Sequence, residues 1–250
     1  MSTKSLVLAS LLMIIPIFIS NREKLGLEKD MIISVLRAVV QLVIVGYVLK
    51  YIFAVDNKIV TLALVLIMII NAAINTRKRG KGIKNCGVIS FVALIIGTSI
   101  TLTILILTRA IEFKPDDVIP ISGMIISQAM VAIGLTYRTL ISSFEERREE
   151  IEAKLSLGAD IKHASKDILR KSIKFAITPN IDSAKTLGIV SLPGMMTGLI
   201  LGGASPVTAI KFQIMVTFMM MSASSMGIII AGYLAYKKFY NERKQFSFNK

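Results

Sequence analysis

Hydrophobic residues along this chain gather in long blocks separated by short charged stretches. Seven apolar segments stand out: Ser5–Ser20, Met31–Ala54, Ile59–Asn75, Gly87–Thr108, Val118–Leu140, Thr186–Gly203 and Pro206–Tyr236. Crossing a bilayer takes roughly 20 mostly apolar residues per helix. The pattern therefore predicts an all-α, polytopic membrane protein of about seven transmembrane helices, one membrane domain over residues 1–250. The first block is short. It reads as a retained helix rather than a signal peptide headed by Lys4, because Asn21-Arg22-Glu23 follows with no small-x-small cleavage site.

The stretch 142–185 has a different texture. Ile151, Leu155, Leu157, Ile161, Ala164, Ile168, Leu169, Ile173 and Ala176 recur near helical spacing with charges between them. Gly158 interrupts the pattern, and Pro179 is expected to end it. Two amphipathic helical pieces lying on or under the membrane are predicted here, between the fifth and sixth spans.

Composition agrees with a membrane chain. Hydrophobic residues make up 54% of the chain and the mean hydropathy is +0.68, above the usual apolar share of a soluble domain. The net charge of +14 raises nucleic acid as a partner, but the basic residues sit between apolar blocks with few aromatics among them. In such a chain, loop lysines and arginines report orientation, and nucleic-acid binding is set aside. Most basic residues fall in four alternate regions: Arg22–Lys29, Arg77–Lys84, Arg147–Lys185 and the tail from Lys237 to Lys250. The positive-inside rule then places the amino terminus outside and the carboxyl terminus in the cytoplasm of a plasma-membrane protein. Cys86 and His163 are single residues of their kind, so no intrachain disulfide or Cys/His metal cluster can form.

A few polar residues stand inside or beside the apolar blocks. Arg37 and Gln41 lie one turn apart on one helical face, suited to an anionic group, or Arg37 snorkels to the interface. Asn71, Asn75 and Gln128 are candidates for interhelical hydrogen bonds. Asp116 and Asp117 suit a helix start, with an outer cation site as the alternative. Leu192-Pro193-Gly194 breaks a helix where only protein or a wet cavity could satisfy the freed backbone. Met195 and Met196 after it either pack the break or line a path. Gly198-x-x-x-Gly202 and Ser222–Gly227 offer small faces for close packing or a dimer seam.

Glu152, Ala153 and Gly158, spaced E-A-x(4)-G, look like the cytoplasmic loop by which ABC-type permeases dock their ATPase, although Lys154 stands where importers have a second alanine. The segment from Ala176 through Pro179, Asp182, Gly188 and Ser191 to Leu192-Pro193-Gly194-Met195-Met196-Thr197-Gly198 resembles the FetB-type iron-export permeases. That family also includes plant ABC permeases of aluminium tolerance. Arg37–Leu42, Gly123-Met124, Leu155-x-Leu157-Gly158-Ala159, Ala204-Ser205-Pro206 and Gln213-Ile214 extend the likeness over essentially the whole chain.

The resemblance implies a permease domain that works as a homodimer with a separate ATPase subunit, which would carry ATP and Mg. Glu152, Ala153, Leu157, Gly158 and Ala159 would take up its motion, and Arg37, Gln41, Gln128, Pro193, Gly194, Met195 and Met196 would border the transport path. No G-x(4)-G-K-[ST] loop occurs, so phosphate cradling of that kind falls to a partner, and this chain is expected to be neither an ATPase nor the holder of a cofactor. No metal site is assigned from the sequence; Asp116, Asp117 and Asp182 are the candidate ligands. Departures from the family pattern fall at Ser127, Gln128, Val131, Tyr137, Asp182 and Ala184, which leaves the cargo open. The rival readings are a stand-alone carrier or channel, disfavoured by apolar segments nearly free of carboxylates, and a membrane scaffold for a cytoplasmic partner.

Overall fold

The computed structural model describes residues 3–247, so Lys250, counted above in the tail, lies outside the described residues. In chain order the elements are α1 (Thr3–Ser10), a 3-10 turn at Leu11–Met13, α2 (Ile14–Arg22), α3 (Glu28–Val55), α4 (Lys58–Arg79), α5 (Cys86–Leu107) and α6 (Pro115–Glu146). There follow α7 (Arg148–Ser156), α8 (Ile161–Thr186), α9 (Gly194–Leu201), α10 (Pro206–Ala235) and a closing 3-10 turn at Tyr236–Phe239. No strand forms among the described residues; β pairing is limited to single bridges, Leu187 with Ser191 and Tyr240 with Phe246.

Five of the described helices are long and apolar enough to cross a membrane: Glu28–Phe53, Lys58–Arg79, Cys86–Leu107, Pro115–Glu146 and Pro206–Phe239. Of the seven expected segments, five are spans of this length among the described residues, and the first and sixth hold shorter helices. In the first apolar segment the ring of Pro16 crowds the carbonyl one turn back, and the helix tightens to 3-10 at Leu11–Met13. Its remaining apolar helix, Leu8–Arg22, is shorter than the five. The expected sixth span breaks at residues 187–193, leaving α9 with eight residues. At 1.5 Å per residue that helix covers less than half of a hydrocarbon core.

Two further expectations change. Pro179 does not end its helix: α8 runs through it to Thr186. Packing against α6 and α10 offsets the roughly 3 kcal/mol that an interior proline costs. Residues 142–146, expected in this region, instead complete α6. The two helical pieces form as expected, α7 and α8, on either side of the Gly158 break at φ +88°, and α8 buries Ala164, Ile168, Leu169, Ser172 and Ala176.

The chain divides into two compact units after Asp56. In the first, the turn between α2 and α3 is stitched by buried Ser20, whose hydroxyl donates to Glu28 Oε1 (2.7 Å) and accepts from Leu27 N (3.3 Å). The apolar stretch of α3 buries none of its residues within the chain. In water such a helix would be untenable; in lipid it is an ordinary span.

The second unit holds the core. Helix α6 lies against α4, α5, α8 and α10, and Leu94, Ile133, Tyr137, Leu140 and Phe144 are wholly buried. Helix starts are capped by side chains: Asn57 accepts from Ile59 N, Asp160 from His163 N and Ser205 from Thr208 N. Buried hydroxyls return their protons to the carbonyl one turn back, as Thr76 does to Ala72, Ser90 to Cys86 and Thr136 to Ala132. The small face at Ser222–Gly227 is used within the chain: a Cβ at Gly227 would stand 3.2 Å from Ile133 of α6. Gly198 faces open space.

Candidate functional site

Helices α7 and α8 meet at a corner made by Leu157, Gly158 and Ala159. Gly158 takes a left-handed conformation that a side chain would strain, and its N–H and that of Ala159 close onto the carbonyls of Leu155 and Lys154. This lifts Leu157 into the open, 88% exposed at the tip. Glu152 and Ala153 are exposed on α7. The Glu152 carboxylate is held at 2.8 Å by Arg148, and Glu150 by Lys154 at 2.7 Å. The Lys154 hydrogen bond draws the Glu150 carboxyl below its ordinary pKa. Asp160 is lowered likewise, chiefly by the backbone and ring N–H groups of His163. Ile151, buried beneath, anchors α7.

The carboxyl-terminal residues form part of this corner, which the sequence pattern did not indicate. Phe144 at the end of α6 stacks on Phe239 (centroids 4.1 Å) and on Phe246 (6.0 Å). Arg148 lies 5.6 Å over the Phe246 ring, and Tyr240 bonds Ser165 of α8 at 2.6 Å. Burial raises the Tyr240 phenol above its usual pKa. A groove of about 500 Å³ separates α7 from the tail, with Glu152, Leu155 and Ala159 on one wall and Arg243, Lys244 and Phe246 on the other. The scattered aromatics after Tyr236 were the available signal.

Far along α8, beside Pro179, a polar chain ties three helices together. Gln128 Nε2 of α6 donates to Asn180 Oδ1 (2.5 Å), Asn180 Nδ2 donates to Ser224 Oγ of α10 (2.6 Å), and Ser224 donates to Met220 O (2.6 Å). Each amide finds a partner that lipid could not supply. Gln128 was singled out from sequence; Asn180 and Ser224 were not, because a lone polar residue carries no periodic signal.

Past α8 the chain turns through Gly188 (φ +82°), where Gly188 N–H donates to Ser191 O at 3.0 Å. A cleft of about 390 Å³ opens there, lined by Leu187, Pro193, Met196, Gln213, Thr217 and Phe218 among others. Pro193 caps α9 and Gly194 begins it. The two methionines part company. Met195 packs against the apolar cluster of Leu105, Ile125, Val216 and Met219, while Met196 faces the cleft. Gln213 is buried, and its Oε1 has no hydrogen-bond partner among the described residues.

Arg37 and Gln41 are exposed on α3 in the first unit. Asn75 bonds Asn71 within α4 rather than another helix. Asp116 is exposed in the first turn of α6, and Asp117 Oδ2 accepts from Glu112 N at 3.1 Å. Asp182 pairs with Lys185 at 3.0 Å. Among the described residues, no three His, Cys, Asp or Glu side chains come together as a metal site.

The chain is similar to known proteins over nearly its whole length. The description "Uncharacterised protein family (UPF0014)" matches residues 3–240. The chain is 54% identical to "Probable iron export permease protein FetB" of Escherichia coli (strain K12), over 98% of this chain and 94% of that protein. It is 40% identical to "UPF0014 membrane protein YjkA" of Bacillus subtilis (strain 168), over 98% of each. With "Protein ALUMINUM SENSITIVE 3" of Arabidopsis thaliana it shares 33% identity over 95% of this chain and 87% of the relative. No solved structure gives a significant match. The resemblance drawn from the Leu192–Gly198 signature thus holds over the full chain: this multi-pass helical membrane protein belongs to the UPF0014 family.

Proposed function

We propose that this chain is the membrane permease subunit of an ABC-type transporter that exports a metal ion, iron or an iron-like cation, from the cytoplasm. A separate ATPase subunit supplies the power and docks at Glu152–Ala159. The observation that carries this reading is the continuity of α8. One end is the corner that presents Leu157; the other passes through the Gln128–Asn180–Ser224 junction to the Pro193 cleft. A force applied at the corner is delivered along one helix to the place where the backbone is broken.

The metal cargo is taken from the printed name of the 54% identical relative. The cation meets oxygen donors in preference to thioethers on this reading, so Gln213, Thr217 and backbone carbonyls of the 187–193 turn border its route, and Met196 shapes the wall. Two copies of this chain would enclose the route, which gives the exposed α3 a use.

Co-purification tests the docking role. Tagged chain co-expressed with a candidate ABC-type P-loop ATPase is expected to hold that ATPase through size-exclusion chromatography. Leu157→Asp, which places a charge on an already exposed tip, is expected to release it with the fold unchanged. Undiminished assembly in that variant contradicts the assignment.

A further inference from the structure

The basic face of α8 has a role in none of the above. Lys162, Lys166, Arg170 and Lys174 succeed one another at four-residue steps, so they stand in a row about 6 Å apart along one side of the helix. All four are exposed. Among the described residues, Lys166, Arg170 and Lys174 take part in no ion pair.

Beside this row is a cavity of about 330 Å³, lined by Lys162, Lys166 and Arg170 from α8, by Tyr233 of α10 and by Tyr236 of the closing 3-10 turn, among others. The two helices run antiparallel. Asn180 meets Ser224, Leu169 approaches Gly232, and Ser165 reaches Tyr240 beyond the end of α10. The cavity therefore lies at the terminal turns of the spanning helix Pro206–Phe239, the depth at which a span meets lipid headgroups and tyrosine is enriched. The tyrosine rings meet edge to face at 6.2 Å. One turn deeper on the same face as Tyr233, Ile229 is exposed and aliphatic. From the cavity toward Ile229 the exposed surface changes from cations, through aromatic rings, to hydrocarbon.

We propose that this groove binds an anionic membrane lipid. Its phosphate sits against Lys162, Lys166 and Arg170, and one acyl chain follows Tyr233 and Ile229. Clustered cations at a membrane interface attract anionic headgroups. The apolar continuation of the groove distinguishes a lipid from a soluble phosphate, which has no use for it. The inference is independent of the transport reading, because it needs neither an ATPase nor a cargo.

Native mass spectrometry of the detergent-purified full chain tests it, with equimolar phosphatidylglycerol and phosphatidylcholine as competing probes. Wild type is expected to retain phosphatidylglycerol in preference. Lys166→Gln with Arg170→Gln is expected to lower that preference about tenfold. Lys237→Gln with Lys238→Gln, a basic pair at the same end of α10, keeps it. The single changes Arg170→Gln and Arg170→Lys are measured alongside; the first lowers the preference and the second preserves it, so the result does not depend on the double variant folding. A preference that survives loss of Lys166 and Arg170, or that the control pair abolishes equally, overturns the site. Displacement of phosphatidylglycerol by millimolar inorganic phosphate also overturns it, by marking a free-anion site.

Discussion

The side-chain amide of Gln128 donates to the carbonyl oxygen of Asn180 at 2.5 Å, joining the longest helix of the bundle to the one that leads from the exposed corner. Asn180 passes the connection to Ser224, so α6, α8 and α10 are held at one level.

Breaking that junction should cost stability and separate the corner from the cleft. Asn180→Leu leaves Gln128 without its partner in a lipid-surrounded bundle, where such bonds are worth about 0.6–2 kcal/mol. A double-mutant cycle with Gln128→Leu, read by denaturation in detergent, is expected to give a coupling of about 1 kcal/mol. Additive effects of the two changes contradict a direct bond.

Gly80 faces a fixed ring. A Cβ there would lie 2.8 Å from Tyr137 Cδ2, and the ring cannot retreat because its hydroxyl is tied to Ser90 at 2.9 Å. Gly80→Ala is therefore expected to destabilise by about 1–3 kcal/mol, the usual cost of overpacking. Gly158→Ala meets no neighbour and costs only the strain of its backbone conformation, about 1 kcal/mol. Thermal melts of the two variants compare clash with conformational strain.

The sidedness expected from the loop charges can be tested by labelling. With buried Cys86 replaced, a cysteine at Leu157 is expected to react with a membrane-impermeant maleimide only from the cytoplasmic face. One at Glu112, in the turn before α6, is expected to react only from the opposite face. Labelling of both from one side contradicts the orientation.

The spans from α3 to α6, and α10, were legible because each is a long apolar run ended by charge or a cap, as with Asn57 before α4. Two blocks misled for one reason: hydropathy counts apolar residues and not backbone continuity. The 3-10 turn at Leu11–Met13 and the Gly188–Pro193 turn interrupt helices that composition alone would carry across a membrane. Pro179 misled in the opposite direction, since flanking helices hold α8 through it. At the site, Gly158 and Leu157 were visible as a glycine interrupting an amphipathic pattern. Asn180 and the Phe144–Phe239–Phe246 stack were not, because both depend on which distant segments the fold brings together.

Ferrous-ion uptake into inside-out proteoliposomes, with and without the partner ATPase, tests the central claim most directly. ATP-dependent accumulation is expected only when both subunits are present, and it should fall to background with Leu157→Asp. Equal accumulation by this chain alone, without ATPase or ATP, would contradict it.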